Sequence, residues 1–402
     1  MKWAAVVPLI GGQLVGTEKA TGLPPAEIAS YSGFEFNDGW SVRRYPSSPY
    51  RVLDRGGRLT GKYDMVVSTC PCAGLSLLSM AKAGSESRAK QNQWMLHSAE
   101  YVLGEVRPGI YFGENAPGMF TNMGSGVVTE LLRIAEKHGY SASFYRTDTD
   151  QHGIPQRRRR TFYYFTRDGG SQAPILPWHK SPMVSASDYL AKIPPTAPNA
   201  GDDPFYDVRD WSVYKYLHGK YGDRWRDAGQ QIGSRPYTNA YELIRRSQQT
   251  RAFVDACRKN GWTDGFQKAM ARSIDKLSRG IGDGVFIHPP IFDRNGSYPA
   301  LIKKTVENVV HPTEDRFLNA REVMHLMGMP LDYEIVPNRN LNIVCQNVPS
   351  ESARAATDLA LAWLDGKTEM TDESVTWACN VSEMRWVGAE KKRPSKVARI
   401  FQ

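Results

Sequence analysis

Short apolar runs rich in β-branched residues alternate with longer segments of helical periodicity over the first 165 residues. The strand-like runs lie at residues 4–7, 65–68, 110–112, 142–145 and 161–165. Between them, apolar side chains recur on one helical face, and one such helix ends at a glycine stop after His138. Because successive parallel strands need a helical crossover, this alternation predicts an α/β domain built on a parallel sheet.

The pattern changes at about residue 170. A stretch rich in proline, serine and alanine is followed by a segment with many aromatic and cationic residues but little periodicity. Order returns at Asn319, which begins a helix-start capping box with Glu322, and a further helix is predicted over residues 350–364. We therefore expect a domain boundary close to residue 170 and a basic tail at residues 366–402.

Charge and cysteine content restrict the environment of the chain. Its formal net charge is +9, which is typical of proteins with a polyanionic partner but also serves solubility. The five cysteines have no paired spacing, so a disulfide framework is not expected. A reducing compartment is expected instead. No stretch is long enough to span a membrane, and no further ligands accompany Cys70 and Cys72 at metal-site spacing. A cytoplasmic protein without a metal or a membrane partner is expected.

Residues 66–76 read Val-Val-Ser-Thr-Cys-Pro-Cys-Ala-Gly-Leu-Ser. A buried strand that ends in a rigid Cys-Pro-Cys turn presents a thiol at a fixed point, as covalent catalysis requires. A cysteine taken singly is more often a small buried hydrophobe. This context favours Cys72 as the nucleophile. Cys70 points to the other face of the strand, and we interpret it as structural.

Glu114 lies in Gly-Glu-Asn-Ala-Pro-Gly, directly after an apolar strand. Partial desolvation at such a position holds the proton of a carboxyl group to higher pH, which suits a group that donates a hydrogen bond or a proton. The alternative is a surface carboxylate that pairs with a lysine.

A second polar motif, Gly-Ile-Pro-Gln-Arg-Arg-Arg-Arg, covers residues 153–160. In an extended segment Gln156, Arg158 and Arg160 share one face, and the two intervening arginines lie opposite. A run of arginines can also be a plain basic surface patch.

In this order, the three motifs resemble the catalytic motifs of the cytosine-C5 DNA methyltransferases. Their Gln-x-Arg-x-Arg signature is matched, and their Glu-Asn-Val signature is matched with Ala116 in place of the valine. The resemblance implies a Rossmann-like, S-adenosylmethionine-dependent α/β methyltransferase domain that carries an inserted, smaller target-recognition domain. It places the target-recognition domain at residues 176–310 and the methyltransferase domain at residues 1–175 and 311–365. It also implies roles for the motif residues. Cys72 would attack C6 of cytosine and Glu114 would assist at N3. Arg158 and Arg160 would hold the base and the backbone, and Gln156 would contact DNA. A base, expected to be water, would remove the C5 proton.

The start of the chain resembles the first motif of this family, Phe-x-Gly-x-Gly-Gly-x-x-x-Gly. Gly11 and Gly12 match it, whereas Val7 and Leu9 replace a phenylalanine and a glycine. The resemblance implies that Glu35 binds the ribose hydroxyls of S-adenosylmethionine, with Asp38 as the alternative acid. It assigns further cofactor contacts to Phe36 on the adenine ring, Asp54 on its amino group, and Pro71.

Two late segments complete the resemblance. Residues 321–333 resemble the ninth motif of the family. Cys345-Gln-Asn-Val-Pro resembles its last motif, Gly-Asn-x-Val-Pro. Gln346 replaces the asparagine of that motif, or the register shifts and Asn347 fills the role. The resemblance places Gln346 and Val348 at the methionine end of the cofactor.

The resemblance implies that duplex DNA is the partner, with the target cytosine flipped out of the stack. The polar loop at residues 75–92 would close over the base, and Arg88 matches a family arginine there. Arg245 and Arg246 could read base edges, although they could equally belong to a solvated helix face. We expect a monomer in a bacterial or phage-infected cell, within a restriction-modification setting.

Two alternatives remain open at this point. One is a tRNA cytosine-5 methyltransferase of the same fold, against which the long inserted segment argues. The other is a degenerate DNA-binding relative without catalysis. The departures at Val7 and Leu9 motivate this second alternative, and the intact catalytic motifs argue against it.

Overall fold

The computed structural model describes residues 1–71, 75, 85–120, 124–167, 181–198, 200–201, 207–226, 248–280, 291, 293, 295–302, 306–334 and 341–366. Among these residues, no helix combines the length and the apolar character that a membrane span requires.

Within the described residues, a seven-stranded sheet has the strand order β3-β2-β1-β4-β5-β8-β6. Its strands are β1 (Trp3–Val6), β2 (Glu27–Ser30), β3 (Tyr50–Val52), β4 (Met65–Ser68), β5 (Ile110–Asn115), β6 (Ser141–Asp148) and β8 (Arg159–Thr166). The first five strands in chain order are parallel, whereas β8 runs antiparallel to both β5 and β6. A separate short pair joins β7 (Gln156–Arg157) to β9 (Tyr298–Pro299). The predicted α/β fold with a parallel sheet is confirmed.

The described helices fall into those that cover the sheet and those of the later segment. They are α1 (Gly12–Thr21), α2 (Glu35–Arg44), α3 (Ser85–Tyr101), α4 (Ser125–His138), α5 (Ala186–Leu190), α6 (Ser212–Tyr221), α7 (Gln248–Asn260), α8 (Gly265–Ser278), α9 (Ala320–Leu326), α10 (Leu341–Val344) and α11 (Ser350–Leu364). A π-helical turn, Val102–Val106, continues α3.

Side chains that alternate along each strand supply two cores, one on either face of the sheet. On β1, Ala4 and Val6 pack with residues of α3 and α4, whereas Ala5 packs with residues of α1 and α11. Helices α6, α7 and α8 share another core, in which Leu217 and Phe253 are fully buried and to which Val310 and Phe317 also belong. A further core joins α5 and β9 to α9 and α10.

Local signals located several elements well. The strand predicted at residues 65–68 and the helix predicted at residues 350–364 have those bounds. The capping box at Asn319 and Glu322 is formed on both sides, and Gly139 ends α4 with a φ of 75°. Little periodicity was expected in the segment rich in aromatic and cationic residues, which begins at about residue 205. This expectation was wrong, because α7 and α8 in that segment are amphipathic helices. Their aromatic and cationic residues obscured the pattern.

His152 joins the sheet to α11. Its ring nitrogens lie 3.0 Å from Thr147 Oγ1 and 2.7 Å from Ser352 Oγ. Burial lowers the pKa of His152 from its ordinary value of 6.5 to about 3. The folded chain therefore keeps this ring neutral where the unfolded chain protonates it.

We expect the contribution of His152 to stability to be present in full above pH 6.5 and to be lost as the pH falls towards 3. Over that interval the unfolded state binds more protons, so this group adds a slope of about 1.4 kcal/mol per pH unit. Urea denaturation at about pH 7 and about pH 4.5 measures it. His152→Gln should flatten the pH dependence, and His97→Gln at an exposed position should not. Equal slopes in the three proteins would contradict this prediction.

Candidate active site

The carboxyl ends of β1, β4 and β5 meet at one edge of the sheet. There the Thr69 amide donates to the carbonyl oxygen of Val7 at 3.3 Å, and Asn115 Nδ2 donates to the carbonyl oxygen of Cys70 at 3.5 Å. The turn after β4 is described as far as Pro71, which is partly buried. Cys72, the expected nucleophile, lies outside the described residues.

Cys70 is enclosed behind this edge. Its side chain is buried, and its Sγ lies 3.1 Å from Ser68 Oγ and 3.5 Å from Ser98 Oγ. Burial raises the pKa of the Cys70 thiol, so its reactive thiolate form is disfavoured. The placement agrees with the structural role expected for this cysteine.

Glu114 and Arg160 form a buried ion pair across β5 and β8. Arg160 Nε lies 2.6 Å from Glu114 Oε1, and the two side chains are 13% and 3% exposed. Burial raises the pKa of Glu114, although the charges of Arg160 and Arg158 oppose that effect. Glu114 is therefore a desolvated carboxyl group beside a fixed cation. The alternative of a surface carboxylate is excluded.

The segment before β8 alternates as the sequence predicts. Gln156 and Arg158 are buried and Arg160 is half-buried, whereas Arg157 and Arg159 are exposed. The two exposed arginines pair with Asp150 at 3.4 Å and with Asp148 at 3.1 Å. The face that contains Gln156, Arg158 and Arg160 is therefore not a plain basic surface patch.

The structure places Arg158 among backbone carbonyl groups of distant segments. Its side chain is 1% exposed, and the guanidinium donates to the carbonyl oxygens of Leu301 at 2.8 Å, Asn347 at 3.3 Å and Cys345. A buried guanidinium with these contacts joins segments that are distant in the chain. This placement favours a positioning role over direct contact with a base.

Arg158→Leu is expected to lower the free energy of unfolding by about 3 kcal/mol, because it leaves buried carbonyl groups without their donor. The matched control is Arg159→Leu, which removes a cation from the exposed face of the same segment and should change stability by less than about 0.5 kcal/mol. Urea denaturation of both variants checks the difference. Similar losses in the two variants would show that the buried contacts contribute little.

The structure places Gln156, the expected DNA contact, between backbone groups of the protein. Its side chain is fully buried, where Nε2 donates to the Leu326 carbonyl oxygen at 3.1 Å and Oε1 accepts from the Leu301 amide at 3.1 Å. Both ends of the amide are therefore occupied by protein groups, and the residue ties β7 to α9.

A loop at residues 7–12 follows β1 and leads into α1. Gly11 has a φ of 90°, a backbone conformation that glycine adopts without strain. The Gly12 amide donates to Asn347 Oδ1 at 2.9 Å. Asn347 and Val348 are fully buried, whereas Gln346 is exposed. The sequence left two residues, Gln346 and Asn347, as candidates for the asparagine position of the last motif. The bond to Gly12 favours Asn347.

Glu35 does not lie at the end of β2. It begins α2, and its carboxylate accepts from the Gly33 amide at 2.6 Å and pairs with Arg55 at 3.0 Å. Hydrogen bonds from backbone amides, its own and that of Gly33, lower the pKa of this exposed carboxyl group. Glu35 falls in the helix that follows β2 because this strand already ends at Ser30.

Phe36 and Asp54 lie near the same edge. The Phe36 side chain is 56% exposed, so its ring has an open face. Asp54 is exposed and accepts from the Ser32 amide at 2.8 Å, which links the ends of β2 and β3.

Asp38, the alternative acid, is fully buried. Its carboxylate accepts from the Leu9 amide at 3.1 Å and from the Tyr50 hydroxyl at 2.8 Å. Burial raises the pKa of Asp38 to about 7. The sequence analysis did not predict the hydrogen bond between Asp38 and Leu9. The replacement of a motif glycine by Leu9 was the feature of the sequence that could have indicated a need for such support.

The residues expected to contact DNA are described only in part. Arg88 belongs to α3, but its side chain lies outside the described part of the chain. Arg245 and Arg246 lie outside the described residues as well.

Comparison with curated proteins identifies Type II methyltransferases. M.AgeI of Thalassovita gelatinovora is 29% identical over 131 residues, which is 33% of this chain and 29% of that protein. M.SacI of Streptomyces achromogenes is 24% identical over 164 residues, which is 38% of this chain and 42% of that protein. The chain thus spans less than half the length of these curated relatives.

Solved structures share the fold over nearly the whole chain. A protein assigned as a DNA modification methyltransferase encoded within an E. coli prophage has a TM-score of 0.55 at 16% identity, covering 91% of this chain and 99% of that chain. The Entamoeba histolytica methyltransferase EhMeth has a TM-score of 0.52 at 12% identity, covering 92% of this chain and 99% of that chain. The profile of the C-5 cytosine-specific DNA methylases matches residues 52–348. Since this match covers well over half of the chain, the protein belongs to the C-5 cytosine-specific DNA methylase family.

Proposed function

We propose that this chain transfers a methyl group from S-adenosylmethionine to C5 of a flipped-out cytosine in duplex DNA. The observation that carries the proposal is the buried pair of Glu114 and Arg160. It lies on β5 and β8, next to the strand whose Cys-Pro-Cys turn contains the candidate nucleophile. Family membership supports the same reaction.

The chemistry follows from the reactivity of cytosine. C5 is a poor nucleophile, and addition of the Cys72 thiolate to C6 makes the ring enamine-like, so that C5 can attack a methyl donor. A base, proposed to be water, then takes the C5 proton, and the C6–S bond breaks to release the thiolate. Glu114 donates a proton or a hydrogen bond to N3 as electron density moves into the ring. Arg160, held by Glu114, supplies positive charge beside the base. Arg158 acts indirectly as a positioning residue, because its contacts fix the segment that contains Arg160.

The residues at the cofactor edge fit S-adenosylmethionine. The exposed carboxylates of Glu35 and Asp54 are acceptors suited to ribose hydroxyls and to the adenine amino group, and the open face of Phe36 suits an aromatic ring. Further contacts are proposed for Gly11, Gly12, Pro71, Asn347 and Val348. When bound, S-adenosylmethionine supplies an electrophilic methyl group.

DNA recognition is proposed to reside in the inserted segment, residues 176–310, with the main domain formed by residues 1–175 and 311–365. Helices α6, α7 and α8 share a core, which Phe317 of the returning segment completes. Lys268 and Arg272 are exposed one helical turn apart on α8, and the exposed Arg279 directly follows this helix, as suits a surface that meets phosphates. Arg88, Arg245 and Arg246 stay proposed DNA contacts. A monomer acting in the cytoplasm of a bacterial or phage-infected cell completes the proposal.

The deciding experiment is methyl transfer from labelled S-adenosylmethionine to mixed-sequence duplex DNA and, in parallel, to tRNA. Bisulfite sequencing of the DNA product identifies the modified cytosines. Protection of cytosines in one sequence context would support the proposal and reveal the recognised site. Transfer to tRNA only would replace DNA as the substrate. DNA binding without any transfer would favour the degenerate relative.

A further inference from the structure

Leu9 occupies a position at which a residue with a side chain is unfavourable. It replaces the first glycine of the family motif, and its φ is 51°. In this left-handed region a Cβ atom crowds the following carbonyl oxygen, so single glycines visit it far more readily. The Leu9 side chain is 5% exposed and packs in the core on the α3 and α4 face of the sheet. Something other than the local sequence must therefore hold the backbone there.

Two side chains of α2 bind both backbone polar groups of Leu9. The Leu9 amide donates to Asp38 Oδ1 at 3.1 Å, and the hydroxyl of Ser41 donates to the Leu9 carbonyl oxygen at 2.8 Å. Positions 38 and 41 are one helical turn apart, so their side chains lie on the same face of α2. Both residues are fully buried.

The surroundings leave the loop little freedom to adopt another conformation. At Gly11 an added Cβ would lie 2.8 Å from Ser41 Oγ and 2.9 Å from the Tyr333 hydroxyl. The Tyr333 hydroxyl donates to the Ile10 carbonyl oxygen, and the Gly12 amide is held by Asn347. Burial of a carboxyl group destabilises the fold unless the group is hydrogen-bonded. Asp38 meets this requirement, because one of its oxygens accepts from the Leu9 amide and the other accepts from the Tyr50 hydroxyl.

We propose that Asp38 and Ser41 are positioning residues that hold Leu9 in its left-handed conformation and thereby fix the loop of residues 7–12 for S-adenosylmethionine. The inference rests on the proposed function, because this loop is the proposed cofactor loop. In this chain, hydrogen bonds from α2 do what a glycine does in the family motif. The departure at Leu9 is therefore compatible with a working cofactor site.

A double-mutant cycle tests the inference, with S-adenosylmethionine affinity read by calorimetric titration of the full chain. Asp38→Ala should weaken binding about tenfold, since without its acceptor Leu9 relaxes out of the left-handed conformation and the loop moves with it. In a Leu9→Gly background the same substitution should change affinity by less than about twofold, because glycine needs no support at this φ. Asp38→Asn keeps an acceptor oxygen and should retain most of the affinity.

Two further variants make the cycle specific. Ser41→Ala carries the same test if Asp38→Ala does not fold. Tyr50→Phe is the matched control, because it removes the other hydrogen bond of Asp38 and leaves the one to Leu9. In steady-state assays Asp38→Ala should raise KM for S-adenosylmethionine and leave KM for DNA unchanged, which a general loss of structure would not do.

The outcomes separate the inference from the proposed function. Failure of the wild-type chain to bind S-adenosylmethionine would overturn the proposed function. If the wild-type chain binds, equal losses from Asp38→Ala in the Leu9 and Leu9→Gly backgrounds would overturn the inference and leave the proposed function standing. Absence of any loss from both Asp38→Ala and Ser41→Ala would overturn the inference as well.

Discussion

Replacing Cys72 by serine is expected to lower the rate of methyl transfer by more than about a thousandfold while DNA binding persists. A thiolate is accessible near neutral pH, whereas a serine hydroxyl holds its proton and adds poorly to C6. Single-turnover transfer of a labelled methyl group measures the rate, and a gel-shift titration measures DNA binding. Retained turnover in the Cys72→Ser variant would rule out this nucleophile.

The chain provides a matched control two residues away. Cys70→Ser introduces the same chemical change into a pocket that already contains the hydroxyl groups of Ser68 and Ser98. Most of the activity should therefore remain. DNA with fluorine at C5 of the target cytosine adds a direct readout, because the substituent cannot leave as a proton. The wild-type chain and Cys70→Ser should form a covalent adduct visible on a denaturing gel, and Cys72→Ser should not.

Glu114→Gln is expected to lower kcat by about a hundredfold to ten-thousandfold. The amide keeps the shape of the side chain but loses the acidic proton, and it leaves the guanidinium of Arg160 without its carboxylate partner. The rate of a single turnover at saturating DNA and S-adenosylmethionine measures the effect on chemistry.

Glu105→Gln serves as the control for this substitution. Glu105 has a 60% exposed side chain and pairs with Arg58 at 3.3 Å, so its loss should leave the rate unchanged. An unaltered rate in Glu114→Gln, with both variants folded, would remove Glu114 from the mechanism. It would also leave the buried ion pair as a structural feature of the sheet.

Features with a local cause were predictable from the residues. The strand at Met65–Ser68 and the capping box at Asn319 depend on neighbours a few positions away, and both were found where they were expected. The alternation of buried and exposed side chains from Gln156 to Arg160 likewise follows from the period of an extended chain. The strands β2 and β3 escaped prediction, since Glu-Ile-Ala-Ser and Tyr-Arg-Val contain no run of β-branched residues.

The partners of the buried polar groups could not be read in the same way. Arg158 was expected to face a substrate, yet it donates to carbonyl groups near the other end of the chain. Asn347 contacts Gly12 across 335 positions, and Asp38 holds Leu9 from a neighbouring helix. A motif specifies which residue types a reaction needs, because the chemistry depends on the groups themselves. Which buried donor meets which acceptor depends on how helices and strands pack, and that packing brings together segments with no local relation in the chain.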